Sequence, residues 1–155
     1  MLDAGLRVAE ACALLWADVE MRQGQIHVRH GKGDRARVVP VTWDMLRRLG
    51  ADRGPGECVL YNIHTPDRPA AIRTIQKALE RVGANLGVIL HPHRLRHTYA
   101  CELLRSGVGI YDLALLLGHS DVSTTAIYLH VQPDDLAARV RAATPPTTYQ
   151  LRLVA

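Results

Sequence analysis

Residues 25 to 41, QIHVRHGKGDRARVVPV, constrain the fold more than any other stretch. Two β-branched, alternating runs, QIHVRH (25–30) and ARVVPV (36–41), flank the tetrapeptide GKGD. Alternation at period two sends every second side chain to one face of a strand. Two such runs joined by a Gly-rich turn read as an antiparallel hairpin. Most of the remaining chain is patterned at the helical period instead. The expected fold is mainly α with a small antiparallel β-hairpin or sheet near its front.

The helices follow from spacing and punctuation. VAEACALLWA (8–17) has apolar residues at helical intervals, with neither Gly nor Pro. Thr42 can cap a short helix, WDMLRRL. GADRGPGE is loop, and CVLYN (58–62) reads as a short strand. Residues 70–86 form a helix with Ile72, Ile75, Leu79 and Val82 on one face. Pro92 opens a helix running to about residue 105, stopped by Ser106-Gly107. A short helix over 110–117 ends at Gly118. Ser123 caps a helix through Tyr128, and Pro133 opens a last one to about Ala143. This gives a domain over 1–143 and a flexible tail, TPPTTYQLRLVA, over 144–155.

A chain of 155 residues suits one domain and can bury roughly 68–70% of its unfolded surface without staples. No run approaches the ~18 apolar residues that span a bilayer, and no secretory signal is visible, so neither a membrane nor export is expected. Cys12, Cys58 and Cys101 are odd in number and lack CxxC spacing, which fits a reducing cytoplasm. The formal net charge is +4, and Lys32 and Lys77 are the only lysines. Arginine therefore carries almost all the positive charge, and its planar fork matches phosphate oxygens in pairs.

The chemistry-bearing residues are scattered. In HPHRLRHTYA (91–100), His93 and Arg96 are three apart and share a helix face, with His97 beside them. Together they can offer donors to one anion, or they can simply be a solvated face. Arg7, in GLR, stands at the mouth of the first helix, where Glu10 can pair with it or hold its fork. Lys32 lies on the hairpin turn, where a lysine can swing to a phosphate. His119 follows the helix-ending Gly118. Tyr128 sits in GHSDVSTTAIYLH (118–130) and can be a packed ring, a surface phenol or a nucleophile. Eight histidines are present, but no HExxH and no cysteine pair at ligand spacing, so no metal and no cofactor is expected.

Taken in order, four blocks are more specific. GLRVAEACALLWADV, GKGDRARVVPV, HRLRHTYACELLRSG and LLGHSDVSTTAIYLHV resemble the tyrosine recombinase, or phage integrase, family, from about Gly5 to Val131. The resemblance implies that fold's catalytic domain, acting on double-stranded DNA attachment sites with no metal. It implies Tyr128 as the nucleophile that attacks a DNA phosphate, giving a 3′-phosphotyrosyl link. Arg7 and Arg96 would grip the non-bridging oxygens, Lys32 would protonate the leaving 5′-oxygen, His93 would be an acid/base partner, and His119 would hydrogen-bond the scissile phosphate. His91, His97 and His130 stay outside this set, with His97 expected behind Arg96. Ser120, Ser123 and Thr124 read as caps.

The same resemblance implies four protomers assembling on two duplexes in the cytoplasm of a bacterial host, with an accessory DNA-bending protein as a possible partner. Such proteins usually carry an N-terminal DNA-binding domain. Here only MLDA precedes the first block, so the chain reads as a small integrase or a fragment, with weak DNA binding as a monomer. The terminal Leu153, Val154 and Ala155 look similar to tags read by AAA+ proteases. Rival readings are a catalytically idle DNA-binding derivative, a type IB topoisomerase-like nickase and a histidine-metal hydrolase.

Overall fold

The computed structural model describes residues 1–29, 36–51, 53, 56–119, 121 and 123–128. In chain order it runs α1 (Val8–Ala13), β1 (Val19–Glu20), β2 (Gln25–Val28), β3 (Arg37–Pro40), α2 (Trp43–Ala51), β4 (Tyr61–Asn62), β5 (Thr65–Pro69), α3 (Ile72–Asn85), α4 (Pro92–Arg105), α5 (Ile110–Leu117) and α6 (Ser123–Ala126). The expected class, mainly α with small antiparallel sheets, is what forms.

The hairpin strands pair as anticipated, with Ile26 opposite Val39 and His27 opposite Val38. Ile26, Val28 and Val39 point into the core while His27 and Val38 face outward, so the alternation sorts the two faces. The sheet gains a third strand, β1, because Val19 pairs with Ile26. The turn residues 30–35, with Lys32 among them, lie outside the described residues.

α1 is shorter than the expected 8–17. Leu14 leaves the helix in an extended conformation (φ −69°, ψ 128°). Its carbonyl accepts from Val59 N at 2.9 Å, and Trp16 N donates to Glu57 O at 2.8 Å. The apolar spacing continues past Ala13, but Leu14 O and Trp16 N bond to residues 57–59, Leu15 N donates to Asp18 Oδ2 at 3.1 Å, and a single 3-10 turn, Trp16–Asp18, follows. CVLYN divides: Cys58 bridges Leu15, and only Tyr61 and Asn62 enter β4. Its partner β5, TPDRP, carries two prolines, which a strand usually excludes. They are tolerated because this strand has a neighbour on one side only.

Helix starts and stops follow local chemistry. Thr42 Oγ1 accepts from Met45 N at 3.2 Å, as expected of a cap. His91, not assigned a role from sequence, caps α4 by accepting from Arg94 N at 3.2 Å, ahead of Pro92 at the first helical position. Asp121, rather than Ser123, caps α6: its carboxylate takes the Ser123 N–H at 2.8 Å. That helix ends at Ala126, so Tyr128 stands in the turn just beyond it. The face expected to bury α3 is only partly covered: Ile75 and Leu79 are half-buried, Ile72 and Val82 are exposed, and Gly83 is the helix's buried residue.

Two apolar clusters form the core. One holds Leu6, Ala11, Leu14, Ile26, Val39 and Leu46, from α1 and the residues flanking it, the three-stranded sheet and α2. The other holds Tyr99, Leu104, Leu113, Leu117 and Tyr128, from α4, α5 and the segment after α6. Gly5 joins them. Its φ of +59° suits glycine, and a Cβ there would meet the Tyr99 ring at 2.5 Å. The last helix expected from Pro133 and the tail over 144–155 lie outside the described residues.

Candidate active site

The two clusters meet at the C-terminal end of α5, and the meeting is polar. Gly118 ends that helix with φ +64°, and His119 N reaches back to Ala114 O at 2.9 Å. The carbonyls of Leu116, Leu117 and Gly118 then have no partner within the helix. Three arginines from three different elements take them. Arg37 Nε donates to Leu116 O at 2.8 Å, Arg96 to Leu117 O at 2.6 Å, and Arg7 to Gly118 O at 3.2 Å. The negative end of the helix dipole favours all three.

One carboxylate sits among them. Glu10 Oε1 accepts from Arg7 at 2.8 Å and from Arg37 at 2.9 Å. Glu10 Oε2 accepts from Arg37 at 2.8 Å and from the Arg7 backbone N–H at 2.7 Å. Arg96 lies 3.9 Å from it. Burial alone would raise the Glu10 carboxyl. The Arg37 fork and the Arg7 donors outweigh it and hold the group at about 2. Arg96 is pulled down to about 10, chiefly by burial and then by Arg7, with Glu10 opposing, and so stays charged at neutral pH. Among the described residues, one carboxylate for three guanidiniums leaves two positive charges uncompensated.

Arg96 is anchored on both sides, since its other terminal nitrogen donates to Gly5 O at 2.6 Å. It is 6% exposed, yet it lines a cavity of about 530 Å³ that opens to solvent. Arg7, His93, His119 and Tyr128 line the same cavity. Five of the six site residues expected from sequence are therefore brought together. The sixth, Lys32, lies outside the described residues, and the two strands that lead to it are the hairpin strands β2 and β3.

His119 has a defined tautomer. Its Nε2 is 3.1 Å from Arg96, which can only donate, so Nε2 accepts. Nδ1 therefore carries the proton and donates to Thr125 Oγ1 at 2.8 Å. Thr125 is fully buried, in α6, three residues before Tyr128. Sequence reading passed over it as part of a helix start.

Tyr128 is 6% exposed. Burial pushes its hydroxyl up from its ordinary value, and the Arg96 guanidinium pulls the other way. His97, expected behind Arg96, packs against this ring, with centroids 5.1 Å apart. Its Nε2 is 3.6 Å from Cys101 Sγ. Arg37 was also missed. The available signal was position: Arg37 alternates with Val39 on the buried face of β3, and an arginine placed there must find partners.

Residues 1–135 match the phage integrase family. The chain belongs to that family. It is 38% identical over 141 residues to the tyrosine recombinase XerA of Thermococcus kodakarensis, covering 88% of this chain and 50% of that protein. Among solved structures it resembles the XerA recombinase, with a TM-score of 0.76 and 29% identity over 94% of this chain and 56% of the other. It also shares the fold of the XerH site-specific recombinase bound to difH substrate in a pre-cleavage complex. The TM-score there is 0.72, with 23% identity over 93% of this chain and 45% of the other. The chain spans about half the length of the curated relatives it matches.

Proposed function

We propose that this chain carries the catalytic centre of a site-specific tyrosine recombinase acting on double-stranded DNA. The observation that carries the reading is Tyr128 in one cavity with Arg7, Arg96, His93 and His119. The Tyr128 oxygen attacks a backbone phosphorus, a P–O bond to Tyr128 forms, and the P–O5′ bond breaks. The products are a 3′-phosphotyrosyl link and a free 5′-hydroxyl. A covalent intermediate divides one hard step into two easier ones and keeps the phosphodiester energy for rejoining.

The two uncompensated charges of the arginine cluster suit the transition state. A phosphodiester carries one negative charge, and the five-coordinate phosphorus carries about one more. Fixed guanidiniums therefore bind the transition state better than the substrate. Among the described residues, Arg7 commits two of its five N–H donors to Glu10 and Gly118 and keeps the others for oxygen. A neutral His119 tied to Arg96 completes that wall. His93 accepts the phenol proton, and Lys32 supplies a proton to the leaving 5′-oxygen. Burial raises the Tyr128 hydroxyl above its ordinary value, so its attack needs a proton acceptor.

Four protomers on two duplexes, exchange through a Holliday junction and work in a bacterial cytoplasm are part of the same proposal. So are an accessory DNA-bending protein and turnover by an AAA+ protease through Leu153, Val154 and Ala155. Replacing Val154 and Ala155 by aspartate lengthens the cellular half-life if the tail is such a tag. The catalytic claim is tested by incubation with nicked suicide duplexes in EDTA. A covalent protein–DNA band that is lost in Tyr128→Phe supports it, and its absence on a bound site favours an idle DNA-binding protein.

A further inference from the structure

We infer that Arg37 is a positioning residue of the phosphate site, acting through Glu10 and the Leu116 carbonyl on Arg7 and His119. The inference rests on the recombinase reading and deepens it.

Arg37 does not line the cavity that holds Tyr128, and its side chain is 8% exposed. It nevertheless makes the most complete set of contacts in the cluster. Its fork meets both Glu10 oxygens, at 2.9 and 2.8 Å, and its Nε meets Leu116 O at 2.8 Å. A carboxylate engaged by a planar fork has one orientation. Glu10 then offers Oε1 to the Arg7 guanidinium from one fixed direction, which aims the rest of that fork at the cavity. Without Arg37, Glu10 could turn to meet Arg7 in pairs or close on Arg96, now 3.9 Å away. Either move would consume donors meant for phosphate.

The second contact holds the opposite wall. Leu116 O is three residues before His119, and the Arg37 guanidinium packs where a Gly118 side chain would stand, 2.9 Å from an added Cβ. Arg37 thus braces the turn that presents His119 to Arg96. Lysine cannot do both tasks, because it lacks the planar fork and the third donor direction.

The experiment compares the full chain with Arg37→Lys, Arg37→Ala, Arg7→Ala and the Arg7→Ala/Arg37→Ala double variant. Folding is checked by thermal melts, and Arg37→Lys carries the comparison if Arg37→Ala does not fold. The first readout is the Arg7 side-chain Nε–H resonance. It is expected to be a single sharp signal in the wild type and to be shifted or broadened in both Arg37 variants. The second is the rate of Tyr128–DNA adduct formation on a nicked duplex selected by covalent capture from a randomised pool with the wild type. Arg37→Ala is expected to slow the adduct by about tenfold to a hundredfold, with DNA affinity unchanged and Arg37→Lys intermediate. The double variant is expected to be slower than Arg7→Ala by a smaller factor than Arg37→Ala alone shows, because the part acting through Arg7 is already lost and only the Leu116–His119 part remains. Unchanged Arg7 resonances in folded Arg37 variants, or losses that multiply in the double variant, overturn the inference. The Arg7 resonance is read without cleavage, so a wild type that forms no adduct fails the recombinase reading while Arg37 is still judged.

Discussion

Arg96 and His119 face each other at 3.1 Å, and the pairing fixes where the His119 proton lies. The proton on Nδ1 is held by Thr125 Oγ1 at 2.8 Å. Thr125→Val keeps the shape and removes that acceptor. The variant is expected to fold, to bind DNA as the wild type does, and to form the covalent adduct more slowly. Thr125→Ser, which restores the hydroxyl, is expected to recover most of the rate. Equal rates for Val and Ser would show that the Thr125 contact does not matter.

Arg7 and Arg96 are expected to separate catalysis from stability. Losing one donor to a developing oxyanion costs on the order of 10²–10³ in rate, so Arg7→Ala and Arg96→Ala should both slow cleavage on that scale. Arg96→Ala also strips partners from the Gly5 and Leu117 carbonyls and opens the joint between the two clusters. It should cost about 3 kcal/mol of stability or more. Arg7, whose side chain is 25% exposed, should cost less. Urea unfolding of both variants reads the difference.

Glu10 makes stability depend on acid. Its carboxyl is held at about 2, below its ordinary 4.5, so the folded state binds this proton less readily than the unfolded chain. The stabilisation is present in full above pH 4.5 and is lost as pH falls towards 2. The shift corresponds to on the order of 3 kcal/mol. Glu10→Gln should lower stability at pH 7 and flatten the dependence between pH 4.5 and 2. A Gln variant whose melting temperature falls with acid as steeply as the wild type would contradict this.

Gly118→Ala should cost about 1–2 kcal/mol for the left-handed backbone alone. The added methyl also presses on the Arg37 guanidinium, so the adduct rate should fall with it. A melt and a cleavage assay on the same preparation test both.

Much of this was legible in the sequence, for identifiable reasons. The hairpin register follows from alternation that sorts Ile26 and Val39 from His27 and Val38. Pro92, Gly118 and Thr42 mark helix ends because each acts on its own backbone neighbourhood. The early end of α1 was not legible, since Leu14 is released to pair with a segment more than forty residues away. The same holds for β5, whose prolines argue locally against a strand that its neighbour Tyr61 accepts. At the site, the resemblance supplied the residues that line the cavity. It did not supply Thr125 or Arg37, whose roles rest on contacts to His119 and Leu116 that only the folded chain creates.

The account stands most directly on one covalent bond. The full chain is incubated in EDTA with nicked suicide duplexes, and the products are separated on a denaturing gel and mapped by peptide mass. The account predicts a DNA adduct on Tyr128 that forms without divalent metal and disappears in Tyr128→Phe. An adduct that survives Tyr128→Phe, or a duplex bound tightly and never joined to the protein, would contradict it.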